Sequence, residues 1–129
     1  MDQLIEIKKK EFARAVASLE QGLTMNIDPV AVRDTALMRF IFSSELSWKV
    51  TRLHVTQIGG AEVVMSKDAY RAAQKMQLLS PEETEIALAM VDDRNRLAHD
   101  YSEEFAQKLF ERVKNLYAPL MRTILTRIR

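Results

Sequence analysis

The 129-residue chain carries 19 basic and 18 acidic side chains for a net charge of +1, a length that buries one core without room for a separate cofactor domain, and a balance that argues against a strongly basic nucleic-acid coat protein. Cysteine is absent, which removes disulfides, a thiolate nucleophile and Cys-ligated zinc, and fits a reducing compartment. The N-terminus has no basic-then-apolar leader and no apolar run approaches the roughly 18 residues that cross a bilayer, so a soluble, cytoplasmic protein without membrane attachment is expected.

Three glycines and three prolines punctuate a chain that is 47% hydrophobic, so long uninterrupted elements are expected, and the apolar spacing makes them helices. Ile5, Phe12, Val16, Leu19 and Leu23 form the stripe of a first amphipathic helix that stops near Gly22 to Asn26. Asp28 before Pro29 reads as an N-cap and first helical residue, opening a long helix that runs to Gly59-Gly60. On it Leu37, Ile41, Trp48, Val55 and Ile58 share one face, and Phe40, Phe42, Leu46 and Leu53 widen the apolar surface, so the helix needs several neighbours. The aromatic residues are read as core rather than as a base-stacking platform. Ser66 is placed to cap a shorter helix reaching about Met76.

Ser80-Pro81-Glu82-Glu83 combines N-cap, first-turn proline and N3 glutamate, the clearest helix start in the chain. That helix turns Ile86, Ala89, Met90 and Leu97 inward and ends around His99 to Tyr101. A last helix begins after Ser102 and sets Phe105, Leu109, Val113, Leu116, Leu120 and Ile124 inward, with a kink expected at Pro119. The expected fold is all-α: one domain over residues 1–129, an antiparallel up-and-down four-helix bundle with an extra short helix.

Asp92-Asp93-Arg94-Asn95-Arg96-Leu97-Ala98-His99-Asp100-Tyr101 gathers titratable groups at one helix end and holds one of only two histidines. On a continuous helix Arg94 lies about 140° from His99, so the two are not simple helical neighbours, and they converge on one phosphate if the helix tightens or ends before His99, or if a second copy meets the first across a two-fold axis. An imidazole can then move the proton of a ribose 2′-hydroxyl while a guanidinium clamps the phosphorane, with no metal. The plainer reading is that both cations complement the helix dipole and that Asp92 and Arg96 form an i,i+4 pair. His54 has no second histidine nearby and reads as packing, not as a metal ligand. Glu45, on a mostly apolar helix, either pairs with a basic group or points into a groove. Lys108, Arg112, Lys114, Arg122, Arg127 and Arg129 give the last helix a basic face that is either solvated or turned toward RNA or an acidic partner.

Arg33-Asp34 with Phe40-x-Phe42-x-x-Glu45-Leu46-x-Trp48-Lys49, followed by Asp93-Arg94-Asn95-x-x-x-His99-x-Tyr101, resembles the HEPN proteins known as nucleotidyltransferase substrate-binding proteins or HepT-like toxins, over nearly the whole chain. The resemblance implies a helical homodimer whose interprotomer cleft holds the second motif. It implies catalytic roles for Arg94 and His99, supporting roles for Asn95 and Asp93, and AMPylation of Tyr101 by a cognate minimal nucleotidyltransferase. The function so implied is that of a toxin cleaving RNA, such as tRNA or mRNA, without metal or other cofactor. The alternative is a non-catalytic subunit that presents a nucleotide or other substrate to the nucleotidyltransferase.

Overall fold

The computed structural model describes residues 2–128. Helix α1 (Asp2–Leu23) is followed by α2 (Pro29–Gly59), the short α3 (Ser66–Lys75), α4 (Pro81–Leu97) and α5 (Glu103–Arg112), which passes through one π-helical turn (Val113–Tyr117) into α6 (Ala118–Arg127). No strand occurs among the described residues. Short connections reverse the chain between long helices, giving the all-α bundle with one short helix that the periodicity implies. Among the described residues no helix is long and apolar enough to cross a membrane.

The expected punctuation is largely in place. Asp28 accepts hydrogen bonds from the Val30 and Ala31 amides at 3.1 and 3.3 Å. Gly60, at φ 67°, closes α2 in the left-handed conformation that a side chain resists. Ser80 and Glu83 form the reciprocal capping box, at 2.8 and 3.1 Å. Ser66 differs: it is the first residue of α3, Met65 holds the cap position, and no side chain caps it.

Helix α2 corrects the expected faces. Its buried stripe is Arg33, Ala36, Leu37, Phe40, Ser43, Ser44, Ser47, Val50, Thr51 and Val55, whereas Ile41, Phe42 and Ile58 are exposed, Phe42 to 66%. A rule that sends large apolar residues inward misses this because four hydroxyls occupy the inner stripe. Each has an internal partner: Ser43 donates to the Ala15 and Arg39 carbonyls, Ser44 to Ile41, Thr51 to Ser47, and Ser47 shares a 2.8 Å hydrogen bond with the buried Tyr70 hydroxyl. Small, satisfied side chains let neighbouring helices approach α2 without an unpaired polar group. Elsewhere Ala87 is buried and Ala89 exposed, and Leu116 is 42% exposed instead of inward.

The disturbance expected at Pro119 is taken up as the π-helical turn just before it, where the Ala118 amide donates to the Val113 carbonyl. A proline cannot donate to the carbonyl four residues back, and its ring crowds that carbonyl. One wider turn absorbs both effects and lets the helix continue. It also buries Tyr117, which stacks on Phe40 at 5.7 Å between ring centroids.

Candidate functional site

Helix α4 ends at Leu97, and Ala98 and His99 form a turn outside it. Past that end the backbone tightens, with Ala98 still in the right-handed helical region and the Asp100 amide on the Arg96 carbonyl at 2.9 Å. His99 is exposed, and its amide is tied back to the Arg96 carbonyl at 3.1 Å.

Arg94 faces α2. Its Nη2 donates to Glu45 Oε2 at 3.2 Å, and Glu45 Oε1 accepts the Trp48 indole N–H at 2.7 Å. Glu45 therefore both pairs with a basic group and lines a groove. Arg94 Nε is buried without a hydrogen-bond partner. Beside this pair opens a groove of about 290 Å³, walled by Glu45, Trp48, Met65, Ser66, Arg94 and Asn95 over a floor of Tyr70 and Met90. His99 is not among its lining residues. Within one chain, Arg94 and Asn95 share the groove, and the imidazole lies beyond it.

Asp93 points elsewhere. Its carboxylate receives Arg112 Nε and Nη2 at 2.7 and 2.9 Å and the Tyr117 hydroxyl, so it ties α4 to the end of α5 and to the π-turn. Burial and then the Asp93 hydrogen bond push the Tyr117 phenol upward. Asp92 and Arg96 do not pair as their spacing suggested. Asp92 reaches Lys67 at 2.7 Å, whereas Arg96 binds Asp100 at 2.9 Å and lies over the Phe105 ring at 4.2 Å.

Tyr101 belongs to a second cluster. Its hydroxyl donates to Asp34 Oδ1 at 2.6 Å, and Arg33 donates to the same oxygen through Nε and Nη2, both at 3.2 Å. The buried Arg33 guanidinium also forks onto Glu103, at 2.7 and 3.2 Å. Burial, with the hydrogen bond to Asp34, pushes the Tyr101 phenol up to about 12. The Tyr101 and Arg33 donors hold the Asp34 carboxyl below its ordinary value. Sequence reasoning found Tyr101 and quoted Arg33 and Asp34, but it did not find Glu103 or the bond that joins them. The contacts span 67 and 70 residues, a separation over which helical periodicity carries no signal.

The remaining candidates are His54 and the basic face of the last helices. Burial, then the charge of Lys9, lowers the His54 imidazole, and its Nδ1 is buried without a partner. No group of three or more His, Asp or Glu side chains placed to hold a metal occurs among the described residues. The basic face of the last helices is largely neutralised: Lys108 pairs with Glu104, Arg112 with Asp93, Arg122 with Glu20 and Arg127 with Glu83. Arg129 lies outside the described residues.

The family model described as nucleotidyltransferase substrate binding protein like matches residues 8–129. A crystal structure of a Thermus thermophilus protein is similar at 35% identity and TM-score 0.84, covering 92% of this chain and 98% of that one. A tri-AMPylated Shewanella oneidensis HEPN toxin in complex with an MNT antitoxin is similar at 16% identity and TM-score 0.77, covering 99% and 98% of the two chains. A toxin–antitoxin crystal structure with AMP-PNP is similar at 15% identity and TM-score 0.78, with both chains fully covered. At these lower identities the likeness is one of fold. No match was found among curated protein sequences.

Proposed function

The chain belongs to the nucleotidyltransferase substrate binding protein like family, and on that premise we propose that it is the toxin of a toxin–antitoxin pair, a metal-independent endoribonuclease restrained by a nucleotidyltransferase partner in the cytoplasm. The observation that carries this reading is the early end of α4, which leaves an exposed imidazole in a turn next to a helix whose Arg94 opens onto a groove. In the reaction His99 takes the proton of a ribose 2′-hydroxyl, whose oxygen attacks the adjacent phosphorus. The 5′-oxygen leaves with a proton, and the product is a cyclic phosphate. Arg94 stabilises the phosphorane charge and Asn95 orients the phosphate from the same wall.

The groove holds Arg94 without His99, so a second copy is needed to complete the site. Met38, Ile41 and Phe42 are exposed on α2, Met38 and Phe42 to 63% and 66%. They lie within two turns of Glu45, so a copy seated there stands at the rim of the groove. A toxin of the same fold is tri-AMPylated, and by the family resemblance of the second motif we take Tyr101 as the residue modified in this chain. Its oxygen would take an adenylyl group from ATP, releasing pyrophosphate and the phenolic proton. The added anion, on the residue two after His99, would compete with substrate phosphate.

The test is cleavage of total tRNA and mRNA in excess EDTA by wild type, Arg94→Ala and His99→Ala, each of verified helicity. Wild type is expected to cleave and each variant to be slower by on the order of 100-fold or more. Absence of cleavage by any of them, with Tyr101 unmodified by mass, overturns the reading. It would favour the second one, a non-catalytic subunit presenting a nucleotide or other substrate, which the groove with its Trp48 and Arg94 walls supports.

A further inference from the structure

The turn that carries His99 is short and has few anchors. The Ala98, His99 and Asp100 amides are tied to the carbonyls of Asn95 and Arg96, and Asp100 accepts the Ser102 amide and Arg96 Nε, all within the segment's own neighbourhood in sequence. Among the hydrogen bonds of residues 98–102, one reaches a distant element: the Tyr101 hydroxyl to Asp34 on α2. Its acceptor is held in place. Arg33 is 5% exposed, donates twice to Asp34 Oδ1 and binds Glu103 at the first turn of α5, so the guanidinium fixes Asp34 against the helix that follows the turn.

We propose that Asp34 is the positioning residue of the His99 turn, anchoring it to α2 through the Tyr101 hydroxyl, and that any group placed on that oxygen releases the turn. This role rests on the reading of His99 as the acid–base group. When the phenolic O–H bond is replaced by an O–P bond, the proton leaves to solvent and the Tyr101 side chain loses its only donor. What then faces Asp34 is an ester oxygen and a phosphodiester anion. Asp34 and Glu103 are both carboxylates there, and Arg33 is already committed to them, so the modified side chain is repelled from α2. His99, two residues away, loses its placement. Inactivation thus follows from displacement of the imidazole, in addition to any competition at the phosphate site. The raised phenol and lowered carboxyl at this contact agree with a proton held on Tyr101 in the resting protein.

The test compares wild type, Tyr101→Phe, Asp34→Ala and the double variant, each of verified helicity, by amide hydrogen exchange over residues 98–102, by tyrosine ionisation and by cleavage. All three variants are expected to exchange faster across the turn, with the double variant no faster than either single one, because both changes remove one bond. In Asp34→Ala the exposed tyrosine is expected to ionise below about 12, which reports loss of the Asp34 bond. Cleavage is expected to fall on the order of tenfold to a hundredfold, with unchanged binding of a non-cleavable 2′-deoxy RNA. Unchanged exchange in the variants overturns the anchor. Faster exchange with full cleavage overturns its positioning role. If wild type itself does not cleave, the ribonuclease reading fails, and exchange and ionisation still decide whether the anchor exists.

Discussion

Tyr70 is fully buried and its hydroxyl meets Ser47 at 2.8 Å, a bond that shows how a polar inner stripe is tolerated. Ser47→Ala is expected to cost about 1–3 kcal/mol, because the Tyr70 hydroxyl is left buried without a partner. Ser47→Ala combined with Tyr70→Phe should recover much of that loss. Urea denaturation checks both, and equal losses in the single and double variants would show that the hydroxyl is satisfied another way. The same logic explains which residues were legible in the sequence. Arg94 and His99 stood out because their types suit phosphate chemistry, and Asp28 and Ser80 because capping is a local rule. Ser43, Ser47 and Thr51 gave no sign of facing inward, since their partners are carbonyls and a tyrosine on other turns or helices. Asp93 looked like part of the site, yet it is held by Arg112 and Tyr117, whose proximity no spacing announces.

At the scale of elements, the ends of helices were more readable than their faces. Gly60 closes α2 at φ 67°, with open space where a Cβ would stand. The expected cost of Gly60→Ala is therefore conformational alone, about 1 kcal/mol, and a thermal melt measures it. A much larger loss would point to an unseen contact at the α2–α3 connection. The π-turn before Pro119 was legible as a disturbance but not as to its form, because a proline specifies a missing donor and a steric clash without specifying how the helix gives way. The early end of α4 matters most for the site. Beyond Leu97 the backbone tightens, the His99 amide reaching the Arg96 carbonyl at 3.1 Å, and α4 does not continue as a regular helix. As the helix stops at Leu97, the turn is free to be placed by Asp34 and Tyr101.

For the whole molecule, acid should act in two stages. His54 has an imidazole lowered from 6.5 by burial and by Lys9, so the unfolded chain binds a proton there more readily than the native one. Its effect on stability therefore declines as pH falls through 6.5 toward the lower native value. Asp34, Glu83, Asp100 and Glu103 have carboxyls lowered from 3.8 or 4.5, held mainly by Tyr101, Arg127, the Ser102 amide and Arg33 respectively. Their contribution is complete above the unfolded values and is lost as pH falls through the native ones. Melting temperature should thus slip slightly below about pH 6.5 and fall further below about 4, and His54→Gln should abolish the first stage alone. The surface of the molecule makes a second demand. Met38, Ile41 and Phe42 are apolar and exposed on α2 while polar Ser43, Ser44 and Ser47 are buried, an inversion that wastes apolar area unless another surface covers it. If a second copy covers it, as the proposed site requires, Phe42→Glu should convert a dimer to a folded monomer in light scattering and lose RNA cleavage with it, although Phe42 itself performs no chemistry. A variant that remains dimeric and active would place the two-fold axis elsewhere. A wild type that is monomeric at the concentrations where it cleaves RNA would mean that Arg94 and His99 act within one chain, through movement of the His99 turn.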